Sequence, residues 1–367
     1  MKIIKYTDDR FYQLVKFLRA NWAANHSIYE KALFDWQYGG PNGDVSSSRI
    51  LLDDNGNMQG FLGVIQSAFT YDEIELEGAG LAIWIVNKEI KNSGAGLYLR
   101  KAVEDEFGLV YSLGVAQKIL RLYVREKYIH YESIHRYVLP LDISGYRLFL
   151  TCGGCEAELT KWHSEISLSS PATPLDHINP SELAKQYASC VAPFFMLCPK
   201  KDARFWQWRY LNSVGFAYSF YSDEGGTIVF RIEDVHAPGD VTRQGLKVLR
   251  IIEIIPANGQ AWNGGHSPIL AETISAVVSY GRTQNCVLAD FQISNTRLSN
   301  IMQTVGFKKQ QNRGVTDLVQ LFAPYKLVSP INIVYRLSMS KRFADISQED
   351  TYFVKSDGDM DRPNSLL

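Results

Sequence analysis

The sequence has little of what would commit it to a nucleic acid, a membrane or an oxidising compartment. Its 367 residues carry a formal net charge of −1, so there is no basic excess to draw in a polyanionic nucleic acid. No uncharged apolar run is long enough to cross a bilayer. The opening Met1-Lys2-Ile3-Ile4-Lys5-Tyr6 lacks the apolar core of a secretory signal, which leaves the cytoplasm as the default compartment. The five cysteines are an odd number and read as free thiols in a chain of this size. Cys152-Gly153-Gly154-Cys155 has the spacing of a zinc knuckle but no second such pair. A glycine turn is expected there, and no metal. With 46% hydrophobic and 21% charged residues, the composition is that of a globular protein long enough for two domains.

What is there is a strand, a glycine turn and a helix in immediate succession. Leu81-Ala82-Ile83-Trp84-Ile85-Val86 has the β-branched and aromatic make-up of a buried strand. Residues 97–107 place Leu99, Val103 and Phe107 four apart, on one helical face. Between them lies Lys91-Asn92-Ser93-Gly94-Ala95-Gly96. A glycine-rich turn entering a helix aims backbone N–H groups and the positive end of a helix dipole at one place, a ready site for phosphate. Leu97-Tyr98 follows the last glycine, which excludes the Lys-Ser/Thr of a P-loop. Two glycines near the middle of the half also fall short of a G-x-G-x-x-G dinucleotide fingerprint.

The remaining loop type is basic-or-Gln-x-x-G-x-G/A, and Lys91-x-x-Gly94-x-Gly96 resembles that of the GCN5-related N-acetyltransferases. Trp84-Ile85-Val86 resembles the W-x-V strand that precedes the loop in that superfamily. The strand 109–115 and the helix 116–127, with Leu120-Arg121-Leu122-Tyr123, complete the same succession. The resemblance implies a mixed α/β fold and acyl-coenzyme A as co-substrate, its pyrophosphate held by Lys91, Asn92, Ser93, Gly94, Ala95 and Gly96. It implies a strand that splays from its neighbour, so that backbone groups near Ile85 and Val86 pair with the pantetheine arm and meet the thioester carbonyl. Tyr123 takes the place of the tyrosine that protonates the departing thiolate. A phenol with an ordinary pKa of ~10 suits that task. His130 is the candidate base. Alternation would set it on one strand face with Glu132, and His135 follows.

The chain also repeats itself. Phe34-Asp35-Trp36-Gln37-Tyr38 is echoed by Trp206-Gln207-Trp208-Arg209-Tyr210 at an offset of 172 residues. Each copy precedes a strand pair broken by a hairpin signal, Asp53-Asp54-Asn55-Gly56-Asn57 in one and Glu224-Gly225-Gly226 in the other. A central strand at 249–255, a helix at 269–280, a strand at 286–292 and a helix at 298–302 running into Gly306-Phe307 continue the parallel. A repeat of a whole α/β unit predicts two tandem domains, each a mixed twisted sheet flanked by helices. The expected boundaries are 1–165 for the acyl-CoA domain, 175–330 for a degenerate copy lacking the loop, and 331–367 for an extension. Residues 167–174 read as the linker. Asp357-Gly358-Asp359-Met360-Asp361 reads as a solvated turn, because it lacks the closing Glu of a calcium loop.

Chains of this type resemble acyltransferases of bacterial surface-polysaccharide pathways, which implies as acceptor a nucleotide-linked 3-amino- or 4-amino-dideoxyhexose. Trp36 and Tyr38 are candidate sugar platforms, although their duplication favours packing. Arg209 is a candidate for a substrate phosphate, and Asp290 could reach a cleft between the halves. A homodimer stays open as the assembly. An aminoacyl-tRNA-dependent transferase and a non-catalytic acyl-CoA or sugar sensor are the rival readings.

Overall fold

The structure is a computed structural model, described for every residue except 92, 152, 154, 323–324, 327–329, 339–345, 362 and 364–367; at 321–322 and 325–326 only the backbone is described. In chain order the first half comprises β1 (Lys2–Lys5), α1 (Phe11–Asn21), α2 (Lys31–Gly39), β2 (Arg49–Leu52), β3 (Met58–Tyr71) and β4 (Ile74–Val86). It continues with α3 (Ala95–Glu104), β5 (Leu109–Leu113), α4 (Gln117–Arg125), β6 (Ile129–Tyr131) and β7 (His135–Pro140). Two short helices, α5 (Ile143–Arg147) and α6 (Glu156–Ser164), lead into the second half. There α7 (Pro180–Cys190), β8 (Leu197–Pro199), α8 (Ala203–Trp206), β9 (Ser219–Asp223), β10 (Gly226–Asp234) and β11 (Lys247–Pro256) are followed by α9 (Pro268–Thr283) and β12 (Cys286–Ile293). The last elements are α10 (Ser299–Val305), β13 (Lys308–Lys309), β14 (Leu321–Phe322), β15 (Tyr325–Lys326) and β16 (Ile333–Leu337).

Two mixed sheets result, flanked by helices as expected. The first has the order β1-β2-β3-β4-β5-β16-β6, with β8 on the far end of β3. The second has the order β13-β7-β12-β11-β10-β9. In each, one neighbouring pair is parallel, β4 with β5 and β11 with β12, and the rest are antiparallel. Alternation along the first sheet sends Ile50, Phe61 and Ile65 to the face covered by α1 and α2, and Leu51, Leu62 and Val64 to the face under α3 and α4. The hairpin signal between β2 and β3 forms: Asp53 N donates to Asn57 O, and Gly56 sits at φ +80°. Among the described residues, no helix is long and apolar enough to cross a membrane.

The halves exchange their last strands. β7 lies within residues 1–165, yet it pairs between β12 and β13 of the second sheet. β16, from the stretch expected as an extension, fills the corresponding slot between β5 and β6 of the first. The repeated aromatic motifs meet each other. Trp36 Nε1 donates to Trp208 O at 2.9 Å, Trp208 Nε1 donates to Trp36 O at 2.6 Å, and the rings lie 6.0 Å apart. Two copies of one motif thus satisfy each other's buried indole N–H groups.

The end of the chain corrects one expectation. Residues 355–358 and Asp361 are buried rather than solvated, because the two buried aspartates among them find partners far away in sequence. Asp357 pairs with Lys201 at 2.8 Å and Asp361 with Arg231 at 3.0 Å. The stretch 167–174 is also more than a linker. Ala172 is buried and its N–H donates to Ala276 O, and Leu175 N donates to Phe220 O beside β9.

Candidate active site

The parallel pair β4–β5 is short. It runs from Gly78 opposite Leu109 to Gly80 opposite Tyr111, whereas β4 stays paired with β3 as far as Val86 opposite Gly60. From Leu81 onward β4 has β3 on one side and, among the described residues, no strand on the other. The cause is local. Leu62 faces Trp84 and Val64 faces Leu81, so Ala82 and Ile83 together oppose Gly63, a bulge that bends β4 away. Gly63 cannot carry a side chain, since a Cβ there would lie 2.5 Å from the Tyr38 ring. Because β4 and β5 are parallel, the N-termini of α3 and α4 both stand at the open end of the gap.

The loop borders that end. Asn87 Oδ1 accepts from Glu89 N at 3.1 Å, and its Nδ2 donates to Gln59 at 2.8 Å. The two glycines serve different purposes. Gly94, at φ +80°, is the N-cap of α3, and a Cβ there would meet nothing within 4 Å. Gly96 has ordinary backbone, but a Cβ would come 3.1 Å from the Trp84 indole, whose Nε1 donates to Gly96 O. Lys91 and Ser93 are exposed, Gly94 and Gly96 half-buried, and Ala95 buried. Ile85 and Val86 are half-buried on the splayed segment. Asn92 lies outside the described residues.

No protein-family model and no curated protein matches the sequence. Solved structures do match the fold. A GCN5-related N-acetyltransferase from Anabaena variabilis matches with a TM-score of 0.55 at 14% identity, covering 92% of this chain and 72% of its own. Saccharomyces cerevisiae N-myristoyltransferase with bound myristoyl-CoA gives 0.54 at 9%, covering 91% and 81%. A probable N-acyltransferase from Enterococcus faecalis gives 0.54 at 10%, covering 92% and 72%. This is the GCN5-related N-acetyltransferase fold, in tandem.

Within that acetyltransferase fold, Tyr123 stands beside the gap. Its ring lies 6.0 Å from Trp84 and 4.8 Å from Tyr128, with the Arg100 guanidinium 5.2 Å from its centroid. Burial pushes its phenol well above the usual range, with Arg100 opposing and Glu104 adding, so the hydroxyl stays protonated at any physiological pH. Arg100 itself is anchored by Glu104 at 2.7 Å. His130 lies on β6 opposite Val334 of β16, and its Nε2 is buried with no hydrogen-bond partner among the described residues. Glu132 falls beyond the end of β6 and is exposed, so it does not share the strand face expected with His130. Burial, then Lys309, lowers the His135 pKa to about 4, which keeps that imidazole neutral.

Four expected substrate contacts are turned inward, and these are corrections. Trp36 and Tyr38 are 7% and 0% exposed, held by the reciprocal indole bonds and by the fit of Tyr38 over Gly63. Arg209 is 1% exposed, lies 4.9 Å from the Trp36 ring centroid and donates to the carbonyls of Gly358 and Asp361. Asp290 is clamped by Arg136 at 2.8 Å and Arg250 at 3.4 Å. Against the cost of burial, those guanidiniums hold its carboxyl below the usual range.

The second half keeps the splayed geometry. Pairing of β11 with β12 ends at Ile251 opposite Phe291, while β10–β11 pairing continues to Pro256. Here the chain fills the gap itself. Val354 bridges to Ile293, Phe353 O accepts from Ser294 N, and the Tyr352 hydroxyl donates to Glu253. Glu253 also takes Lys201 at 2.6 Å and Tyr210 at 2.8 Å. The signal for this ionic centre was present in the sequence as charges inside apolar strands: Arg231, Arg250, Glu253 and Asp290. A cavity of about 840 Å³ lies elsewhere, between α6 and α10, against Trp162, Gly306 and Lys308. Among the described residues no cluster of three His, Cys, Asp or Glu side chains could hold a metal. Cys155 is half-buried, and Cys152 lies outside the described residues.

Proposed function

We propose that this protein is an acyl-CoA-dependent N-acyltransferase whose donor enters the β4–β5 gap. The observation that carries the reading is that the gap opens immediately beside a helix N-terminus capped by a positive-φ glycine with free space around it. The segment 82–86, half-buried except for Ile83, offers a strand edge to an extended pantetheine arm, and the first turn of α3 offers N–H groups and a dipole to a pyrophosphate. The bound thioester supplies an activated acyl group. Backbone N–H near Ile85 and Val86 meets the oxyanion formed when an amine attacks. Tyr123 hands its proton to sulfur as the C–S bond breaks. His130 takes the proton that the amine loses. The acceptor we favour is a nucleotide-linked amino sugar, on the strength of the sequence resemblance, with transfer in one ternary complex and a cytoplasmic setting.

Tyr123→Phe tests this without disturbing the fold, because the ring contacts survive and the hydroxyl bonds to no described residue. Thioester consumption with nucleotide amino sugars should fall at least tenfold, as loss of a general acid requires, while the Kd for acyl-CoA holds within twofold. Unchanged turnover removes Tyr123 from the mechanism. Gly94→Val should weaken acyl-CoA binding at least tenfold in a calorimetric titration, since a β-branched residue resists φ +80°. Undiminished binding would place the donor elsewhere.

A further inference from the structure

The exposed face of α4, the helix whose buried face sets Tyr123 against Trp84 beside the gap, is strongly cationic on an otherwise balanced protein. Residues 116–127 carry Lys118, Arg121, Arg125 and Lys127 against Glu126 alone. Lys118, Arg121 and Arg125 recur at i, i+3 and i+7, on one face of α4, and all three are exposed. Glu126 is drawn back toward Arg100 at 3.6 Å. Lys118 and Arg121 have no carboxylate within 4.0 Å among the described residues, and Arg125 has only Glu126, at 3.8 Å. Between the cations Val124 is 52% exposed, and on the first turn of α3 Tyr98 is 67% exposed.

This is a surface, not a pocket. The stripe from Lys118 to Arg125 covers about 10 Å of helix at ~1.5 Å per residue, more than one phosphate spans. Exposed apolar side chains set among cations suit a protein partner with acidic side chains, in which charge steers the encounter and the apolar spots make contact. A thioester on phosphopantetheine can be delivered by coenzyme A or by a carrier protein, and only the second brings an acidic surface with it. Resting on the acyltransferase reading, we propose that the α4 stripe docks an acidic carrier protein, whose phosphopantetheine arm then enters the β4–β5 gap.

The test uses the full chain and a fluorescently labelled, hexanoylated acyl carrier protein, with hexanoyl-CoA as the small donor. Anisotropy should show carrier binding that weakens at least tenfold between 0.05 and 0.5 M salt, as screening of exposed charges demands. Arg121→Glu/Arg125→Glu should weaken carrier binding at least tenfold and leave hexanoyl-CoA binding within twofold, with an unchanged melting temperature. Carrier binding that is absent, or indifferent to the double substitution, overturns the docking proposal. If hexanoyl-CoA binds in that case, the acyltransferase reading stands without it. If neither donor binds, both fall.

Discussion

Lys355→Met is expected to stabilise the protein at neutral pH, by about 4 kcal/mol, and to flatten its alkaline stability profile. Lys355 is 5% exposed and makes no ion pair with any described residue. The charges that face it come from every strand around it and are already matched. Arg231 and Glu233 on β10 pair at 3.0 Å, Arg250 on β11 reaches Glu233 and Asp290, Arg136 on β7 holds Asp290, and Asp361 takes Arg231. Lys355 is one cation too many. Burial, then Arg250, lowers its pKa to about 7, with Asp361 and Glu233 offsetting part of the effect. An unfolded lysine titrates near ~10.4, and each unit of difference is worth ~1.4 kcal/mol. The unfolded chain therefore binds the extra proton between those two values, and stability rises with pH from about 7 toward 10. Below the folded value both states are protonated and the penalty is complete and constant. Methionine keeps the length without the charge. Urea unfolding at pH 6, 8 and 10 should show the variant ahead at the low end and the two proteins converging at the high end. Parallel profiles would mean that Lys355 finds a counter-ion in solution.

Ending the chain at Pro330 should abolish cooperative folding of the first half, although all of residues 1–140 remain. β5 and β6 share no direct ladder; β16 joins them, with Ile333–Leu337 opposite Leu109–Leu113 and Ile333–Tyr335 opposite Ile129–Tyr131. Without it the buried β5 becomes an edge, and β6, already at the end of the sheet, loses its partner strand. The same cut removes Asp357 and Asp361, leaving Lys201 and Arg231 each with one buried partner fewer, and a broken buried pair costs about 3–5 kcal/mol. Either loss is a large fraction of a typical domain's stability. Far-UV dichroism against temperature should give no sharp transition, and supplying residues 331–367 on a second chain should restore one. A truncated protein that melts at the parental temperature would show that β16 is dispensable.

Much of this architecture was legible in local sequence. The run 81–107 folds as strand, turn and helix because its apolar spacing switches from period two to period 3.6 across two glycines. The match of 34–38 with 206–210 pointed to two units, and α9 and β12 fall where periodicity placed them. Partner choice was not legible. His135–Pro140 and Ile333–Leu337 read as strands whichever sheet receives them, since β pairing is fixed by long-range contacts. The acidic run 357–361 looked solvated because its counter-ions lie 130 and more residues away. Arg209 and Asp290 looked like substrate contacts for the same reason, as the carbonyls that hold Arg209 and the guanidiniums that hold Asp290 are invisible in a linear reading. Tyr38 looked like a platform, and only the bulge opposite Gly63 shows what its ring fills.

The exchanged indole bonds of Trp36 and Trp208 have one more meaning. A contact in which residue i meets j while j meets i is isologous, the mark of a two-fold homodimer. Two subunits that also trade their closing strands form a domain-swapped dimer, and here both are on one polypeptide. Joining them frees the copies from being identical. One gap is left open, and the other is sealed by residues 352–354 of the same chain, an asymmetry that no dimer of equal subunits could hold.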